Sequence, residues 1–224
     1  MADQTRRSFR ELTLGGFVDE LASAAPVPGG GSASAIGASL GAALVAMVAA
    51  LSEGRPRYAA HADLHRSSQA VGRRLATTFL DLADEDSDAY AEFASAMKLP
   101  KDTADEIQRR KAALSVAAKR AADVPLRTVE ACLELVATAE TLVGRSNVNA
   151  SSDLDVATLL GEAAARGAAA NVLINLPSVD DESYSGEATA RVMRLLDSIE
   201  EIVATVHSRI RSGESREPLP PSAA

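Results

Sequence analysis

The most chemically pointed residue in this 224-residue sequence is a carboxylate set where a carboxylate fits badly. Phe79, Leu82, Asp86, Tyr90, Phe93 and Met97 recur at spacings of 3, 4, 4, 3 and 4, one continuous face of a helix. Five of the six are apolar or aromatic, and Asp86 is the intruder. A carboxylate on such a face must be paired, protonated or lining a cavity. In a cavity it could carry a proton as a general acid or base. Its structural alternatives are the capping of a break in the helix or an ion pair with an arginine from another helix. The neighbouring Asp81, Asp84, Glu85 and Asp88 fall mostly off this face and read as a solvated acidic side.

A second feature is the loop Pro26-Val27-Pro28-Gly29-Gly30-Gly31-Ser32, inside a stretch from Leu21 to Ser52 without a single charge. Ser32 can cap the helix that follows. A helix start presents unpaired N–H groups and partial positive charge, so Gly29, Gly30, Gly31 and Ser32 could hold an anion. The alternative is a plain capping turn. Asn147, Asn149, Ser151, Ser152 and Asp153 form a polar loop before another helix start, serving either as turn and cap residues or as contacts to a polar ligand. Asn171 and Asn175 share a helix face, where two amides could read a heterocycle's hydrogen-bonding edge or could end the helix. Arg55 and Arg57 could meet an anionic group or remain surface residues. His61 and His65 have metal-ligand spacing without an evident third ligand, which favours solvated side chains and no metal. No Ser-His-Asp order, phosphate loop or dinucleotide fingerprint occurs.

These residues need helices to position them. Alternation typical of strands is absent, and breaks fall at Gly, Pro and Asn. The pattern predicts helices over 14–24, 32–52 and 57–97, the last with a possible break at Gly72. A Thr103/Glu106 capping box starts a helix to residue 122, and Pro125 starts another to 143. Helices over 153–175 and 181–211 follow. The expected fold is all-α: one domain over 1–212, a helical bundle with long helices, followed by a disordered tail over 213–224. Two Ala/Gly-rich helices offer more close-packing surface than a monomer needs, so a two-fold homodimer built on them is expected.

Composition narrows the class. Hydrophobic residues make up 46% and aromatics 3%, so the core must be tightly packed Ala, Leu and Val. A net charge of -8 argues against nucleic acid as the main partner. The lone Cys132 excludes an internal disulfide framework and reads as a small buried hydrophobe. The uncharged run passes a length test for a membrane span but is poor in Leu, Ile and Phe and lacks a flanking basic cluster, so it reads as a buried helix rather than a membrane segment. The first residues lack a leader's apolar stretch, giving a cytoplasmic expectation.

The ordered motifs resemble the cyclodeaminase/cyclohydrolase family, which includes formiminotetrahydrofolate cyclodeaminase domains and methenyltetrahydrofolate cyclohydrolases. They are Phe17-Val18-Asp19-Glu20-Leu21, the Pro28-to-Ser32 loop, Asp84-Glu85-Asp86-Ser87-Asp88, Lys98-Leu99-Pro100, Val124-Pro125-Leu126, Asn147-Val148-Asn149 and Asn171-Val172-Leu173-Ile174-Asn175, spread over 13–181. Two departures are Gly54-Arg55-Pro56-Arg57-Tyr58, where the family carries an uninterrupted basic segment, and Arg145-Ser146, where a Lys-Gly or similar pair is usual. The resemblance implies an all-helical dimer acting on tetrahydrofolate derivatives without a metal or redox cofactor. It would either hydrolyse 5,10-methenyl-tetrahydrofolate or form it from the 5-formimino compound with release of ammonia. The family's proposed catalytic aspartate lies in the segment matching 84–88. Helical phase favours Asp86 for that role, with Asp84 second. Gly29 to Ser32, Arg55 and Arg57 would hold the pterin edge or the glutamate carboxylates. A non-catalytic helical dimer that binds folate or serves as an assembly subunit is the alternative.

Overall fold

A computed structural model describes residues 8–219. Those residues form six α-helices linked by short 3-10 turns, with no strand among them. The helices are α1 (Leu14–Leu21), α2 (Gly30–Ser52), α3 (Ala62–Met97), α4 (Ala104–Leu142), α5 (Ser151–Asn175) and α6 (Glu182–Ser212). Residues 1–7 and 220–224, including the start on which the leader reading rested and the end of the expected tail, lie outside the described part.

The charge-free α2 is the central rod, packed by α3, α4 and α5, while α6 lies against α4 and α5. Small residues make this possible. A Cβ on Gly41 would stand 2.9 Å from the Ala157 carbonyl of α5, and one on Gly72 would stand 2.8 Å from backbone atoms of Ala42 and Ala46. Gly72 is therefore a notch where α3 passes α2, and α3 runs through it without a break. Leu75, Phe79, Leu135, Leu142, Leu154 and Ile199 are fully buried around this rod, each worth about 1.5–3 kcal/mol of burial. By length and composition α2 could span a membrane. Its buried face of Ala35, Ala38, Ala42, Val45, Val48 and Ala49 makes it a core helix, with Leu40, Met47 and Leu51 exposed on the other side.

Several boundaries differ from the pattern reading, each for a local reason. The Thr103/Glu106 capping box forms as expected, with Thr103 Oγ1 accepting from Glu106 N at 3.2 Å and Glu106 Oε2 accepting from Thr103 N at 2.9 Å. The helix it starts does not stop at residue 122 but continues through Pro125 to Leu142 as one element. A proline inside a helix leaves the carbonyl four residues earlier without its backbone donor. Here that carbonyl is Ala121 O, and Asn175 Nδ2 of α5 donates to it at 2.9 Å. Helix α1 ends at Leu21 rather than 24 and is capped by Thr13, while Ser8 caps a separate turn over Phe9–Glu11. Helix α2 begins at Gly30, so Ser32 lies inside it and is not its cap.

The tail also departs from the expectation of disorder from residue 213. Gly213 ends α6 in the left-handed conformation. The chain beyond it then docks: Arg216 N donates to Gly144 O at 2.9 Å, Arg216 Nη1 reaches Glu140, and Arg145 Nε donates to Glu217 O at 2.6 Å.

Candidate active site

Asp86 leaves the buried part of its stripe where α3 meets the start of α2. Phe79 and Leu82 are in the core, Asp86 is half-buried, and Tyr90 and Phe93 continue as the wall of a cavity of about 420 Å³. That volume lies within the range of small-molecule sites. Gly29, Gly30 and Gly31 form one rim, and Asn171, Ile174 and Asn175 of α5 form another.

Of the three glycines, Gly31 makes room for Asp86. A Cβ on Gly31 would fall 2.2 Å from Asp86 Oδ1 and 2.6 Å from its Cγ and Oδ2, so no other residue fits without moving the carboxylate. Ser32, fully buried, has its hydroxyl 3.0 Å from Asp86 Oδ2 and 3.2 Å from both Ala83 O and Ser87 Oγ. The positive end of α2 thus faces an anion supplied by the protein itself, a favourable placement for negative charge. At Gly31 and Ser32 the expected anion cradle is already filled by Asp86, while Gly29 and Gly30 line the cavity.

The opposite wall carries two side-chain amides, Asn171 and Asn175. Asn175 Nδ2 donates to Ala121 O at 2.9 Å and to Asn171 O at 2.8 Å, which uses both of its amide hydrogens. Asn171 Nδ2 donates to Gly167 O at 2.9 Å. Asn175 is thus left to meet a ligand through its carbonyl, while Asn171 keeps one amide hydrogen as well as its carbonyl. Together with Asp86 they suit a ligand rich in N–H groups or carrying positive charge. The pattern around Asn175 depends on Pro125, because that proline is what leaves Ala121 O open to it.

The other predicted site residues are placed elsewhere. Asp84 does not line the cavity. Its Oδ1 accepts from Phe9 N at 2.9 Å and its Oδ2 accepts from Ser8 Oγ, so it fastens the N-terminal turn to α3. Arg55, Arg57, Asn147, Asn149 and Asp153 lie at the other end of α2. Helix α2 has 23 residues from Gly30 to Ser52, so its two ends are about 33 Å apart. There Asn147 N donates to Ser52 Oγ at 2.8 Å, Asn147 Oδ1 accepts from Asn149 N at 3.2 Å, and Val148 N donates to Tyr58 Oη at 3.1 Å. Asp153 sits in the first turn of α5. Arg57 stacks near the Tyr58 ring at 5.6 Å. These bonds close the bundle end and bring none of the five residues to Asp86.

His65 is not solvated as expected but buried, with Nε2 2.9 Å from Arg145 O. The neighbouring His61 is held below the ordinary imidazole pKa chiefly by burial, then by the charges of His65 and Arg145, with Glu217 opposing. Among the described residues no three His, Cys, Asp or Glu side chains cluster as a metal site. Burial pushes the Cys132 thiol up to about 12, consistent with a packing role. Pattern reading quoted Pro26, Val27 and Ile174 within its motifs without a site role, and it missed Ala121 and Ser178 on the cavity wall. Only Ala121 left a trace, as the position four before Pro125.

Comparisons with known proteins match most of the chain. The family model for formiminotransferase-cyclodeaminase matches residues 13–194. A methenyltetrahydrofolate cyclohydrolase of Methylorubrum extorquens is 37% identical over 203 residues, spanning 88% of this chain and 97% of that protein. A formimidoyltransferase-cyclodeaminase of Gallus gallus is 34% identical over 214 residues, spanning 96% of this chain but 40% of that longer protein. The crystal structure of a formiminotetrahydrofolate cyclodeaminase from Thermotoga maritima superposes with a TM-score of 0.82 at 26% identity, covering 91% of this chain and 98% of that one. By sequence and by fold, this chain belongs to the formiminotransferase-cyclodeaminase family.

Proposed function

We propose that the chain is a folate one-carbon enzyme that hydrolyses 5,10-methenyl-tetrahydrofolate to 10-formyl-tetrahydrofolate, with Asp86 carrying the proton. The observation behind this reading is the Asp86 carboxylate, held by Ser32 against Gly31 at the wall of a cavity whose other side offers amide acceptors. The methenyl bridge is a cationic amidinium. A carboxylate beside it stabilises the charge and takes a proton from the attacking water, giving a tetrahedral adduct. The carbon–nitrogen bond to the pterin nitrogen then breaks as that nitrogen is protonated. Such proton transfer is worth roughly 10²–10⁴-fold in rate. The amidinium carbon is electrophilic as it stands, so this route asks for no metal or redox cofactor. Asn171 and Asn175 would accept from the N–H groups of the pterin edge.

Deamination of 5-formimino-tetrahydrofolate is the second reading, supported by the fold shared with the Thermotoga maritima cyclodeaminase. It uses the same carbon and the same proton carrier, with ammonia as the leaving group. Offering the purified protein each substrate separately and following the methenyl chromophore against a no-enzyme control tests both. Loss with the first substrate supports hydrolysis, gain with the second supports deamination, and no change with either counts against an enzyme.

The working unit in this reading is a homodimer. Its support is the uncharged outer face of α2, where Leu40, Met47 and Leu51 are exposed on a helix without a charged residue.

A further inference from the structure

We propose that a second cavity beside the first is the anion subsite for the substrate's glutamyl carboxylates, with Lys101, Arg110 and Lys111 as its cations. This rests on the folate reading of the Asp86 site and adds where the other end of the substrate goes. The second cavity, of about 680 Å³, shares Phe93 and Ser178 with the first, so the two are continuous across one ring and one turn. Its floor is the end of the same stripe, Phe93 and Met97 of α3, faced by Ile107 and Leu114 of α4.

The two cavities differ in charge. Asp86 is the charged side chain of the first, and it repels a carboxylate. The second carries three cations against one carboxylate, Asp180. Arg110 is fixed in place, with Nε and Nη2 donating to Met97 O at 3.3 and 3.1 Å. A guanidinium already held in one orientation loses less freedom when it binds a carboxylate. Lys111 pairs with Asp180 at 2.8 Å, which keeps its ammonium at the rim. A folate carrying a methenyl bridge is positive at the pterin end and negative at the glutamate end, with an aromatic ring between. The paired cavities present the opposite order: a carboxylate, an apolar passage over Phe93, then cations. Arg55 and Arg57, the basic residues singled out by pattern, are at the far end of α2 and do not reach this cavity within one chain.

The test uses p-aminobenzoyl-L-glutamate and its dimethyl ester as probes, with binding measured by calorimetry on the full chain. The acid is expected to bind at least about tenfold more tightly than the ester, and added salt should narrow the gap. Lys101→Ala and Arg110→Ala together should remove the preference, Lys101→Arg should keep it, and for a turned-over substrate the loss should fall on KM. All these side chains are at the surface or rim, and unchanged circular dichroism verifies folding. Equal affinity for acid and ester, no binding of either, or an unchanged preference in the double variant would each overturn the assignment. Preference without turnover of either folate would keep the subsite and count against the catalytic reading instead.

Discussion

At the scale of single residues, the account turns on how tightly Asp86 is placed. Gly31→Ala puts a methyl 2.2 Å from Oδ1, so the carboxylate must move. A misplacement of that size should lower kcat by roughly 10²-fold or more, with helical content unchanged, as read by steady-state kinetics and circular dichroism. Ser32→Ala removes the hydroxyl that holds Oδ2 and should cost about tenfold in kcat, with a smaller effect on KM. Asp86 itself was legible in the sequence because a carboxylate inside an aromatic stripe violates the helix pattern. What was not legible was the identity of its partners. Helical phase shows which face a residue takes but says nothing of what stands opposite it. The glycines looked like a cradle for a ligand's anion because a bare helix start attracts any negative group, and sequence cannot reveal that the anion is a side chain 54 residues away.

At the scale of elements, Pro125 shows why a correct local rule can mislead. Proline commonly opens a helix, and a restart at 125 followed from that rule. In the folded chain α4 continues, because the carbonyl that proline orphans is satisfied by Asn175 from α5. Restoring an N–H with Pro125→Ala lets Ala121 O bond within its own helix, in competition with Asn175. The fold should tolerate this change, with a melting midpoint no lower than wild type, since alanine is a better helix former by about 3 kcal/mol in a regular helix. KM should rise several-fold as Asn175 loses its anchor. A lowered midpoint with unchanged KM would contradict that link between α4 and the cavity. The sequence pattern made every helical segment visible although it split α4 in two, whereas the antiparallel run of α2 and α5, which brings Asn171 beside Gly30, is a tertiary fact with no local signature.

At the scale of the whole molecule, two surfaces lead to predictions. The outer face of α2 exposes Leu40 at 54% of its area in a helix without charge. Leu40→Glu should shift the proposed dimer to monomer in analytical ultracentrifugation. Wild-type protein sedimenting as a monomer would remove the dimer reading. The bundle end around His61 gives a pH prediction. His61 is held below its ordinary value of 6.5, so above 6.5 it is neutral in both folded and unfolded chains. Below that value the unfolded chain binds the extra proton first, and stability falls as pH drops. The melting midpoint should therefore decline more steeply on acidification in wild type than in His61→Gln. Equal slopes would contradict a lowered His61 pKa in the folded chain.

The most direct measurement is the decay of methenyl-tetrahydrofolate absorbance with wild-type protein and with Asp86→Asn, each against a no-enzyme control. Wild type should accelerate the decay, and Asp86→Asn should return it to near the uncatalysed rate, a loss of roughly 10²–10⁴-fold, while circular dichroism stays the same. An Asp86→Asn protein that is folded and as fast as wild type would contradict the claim that this carboxylate moves the proton.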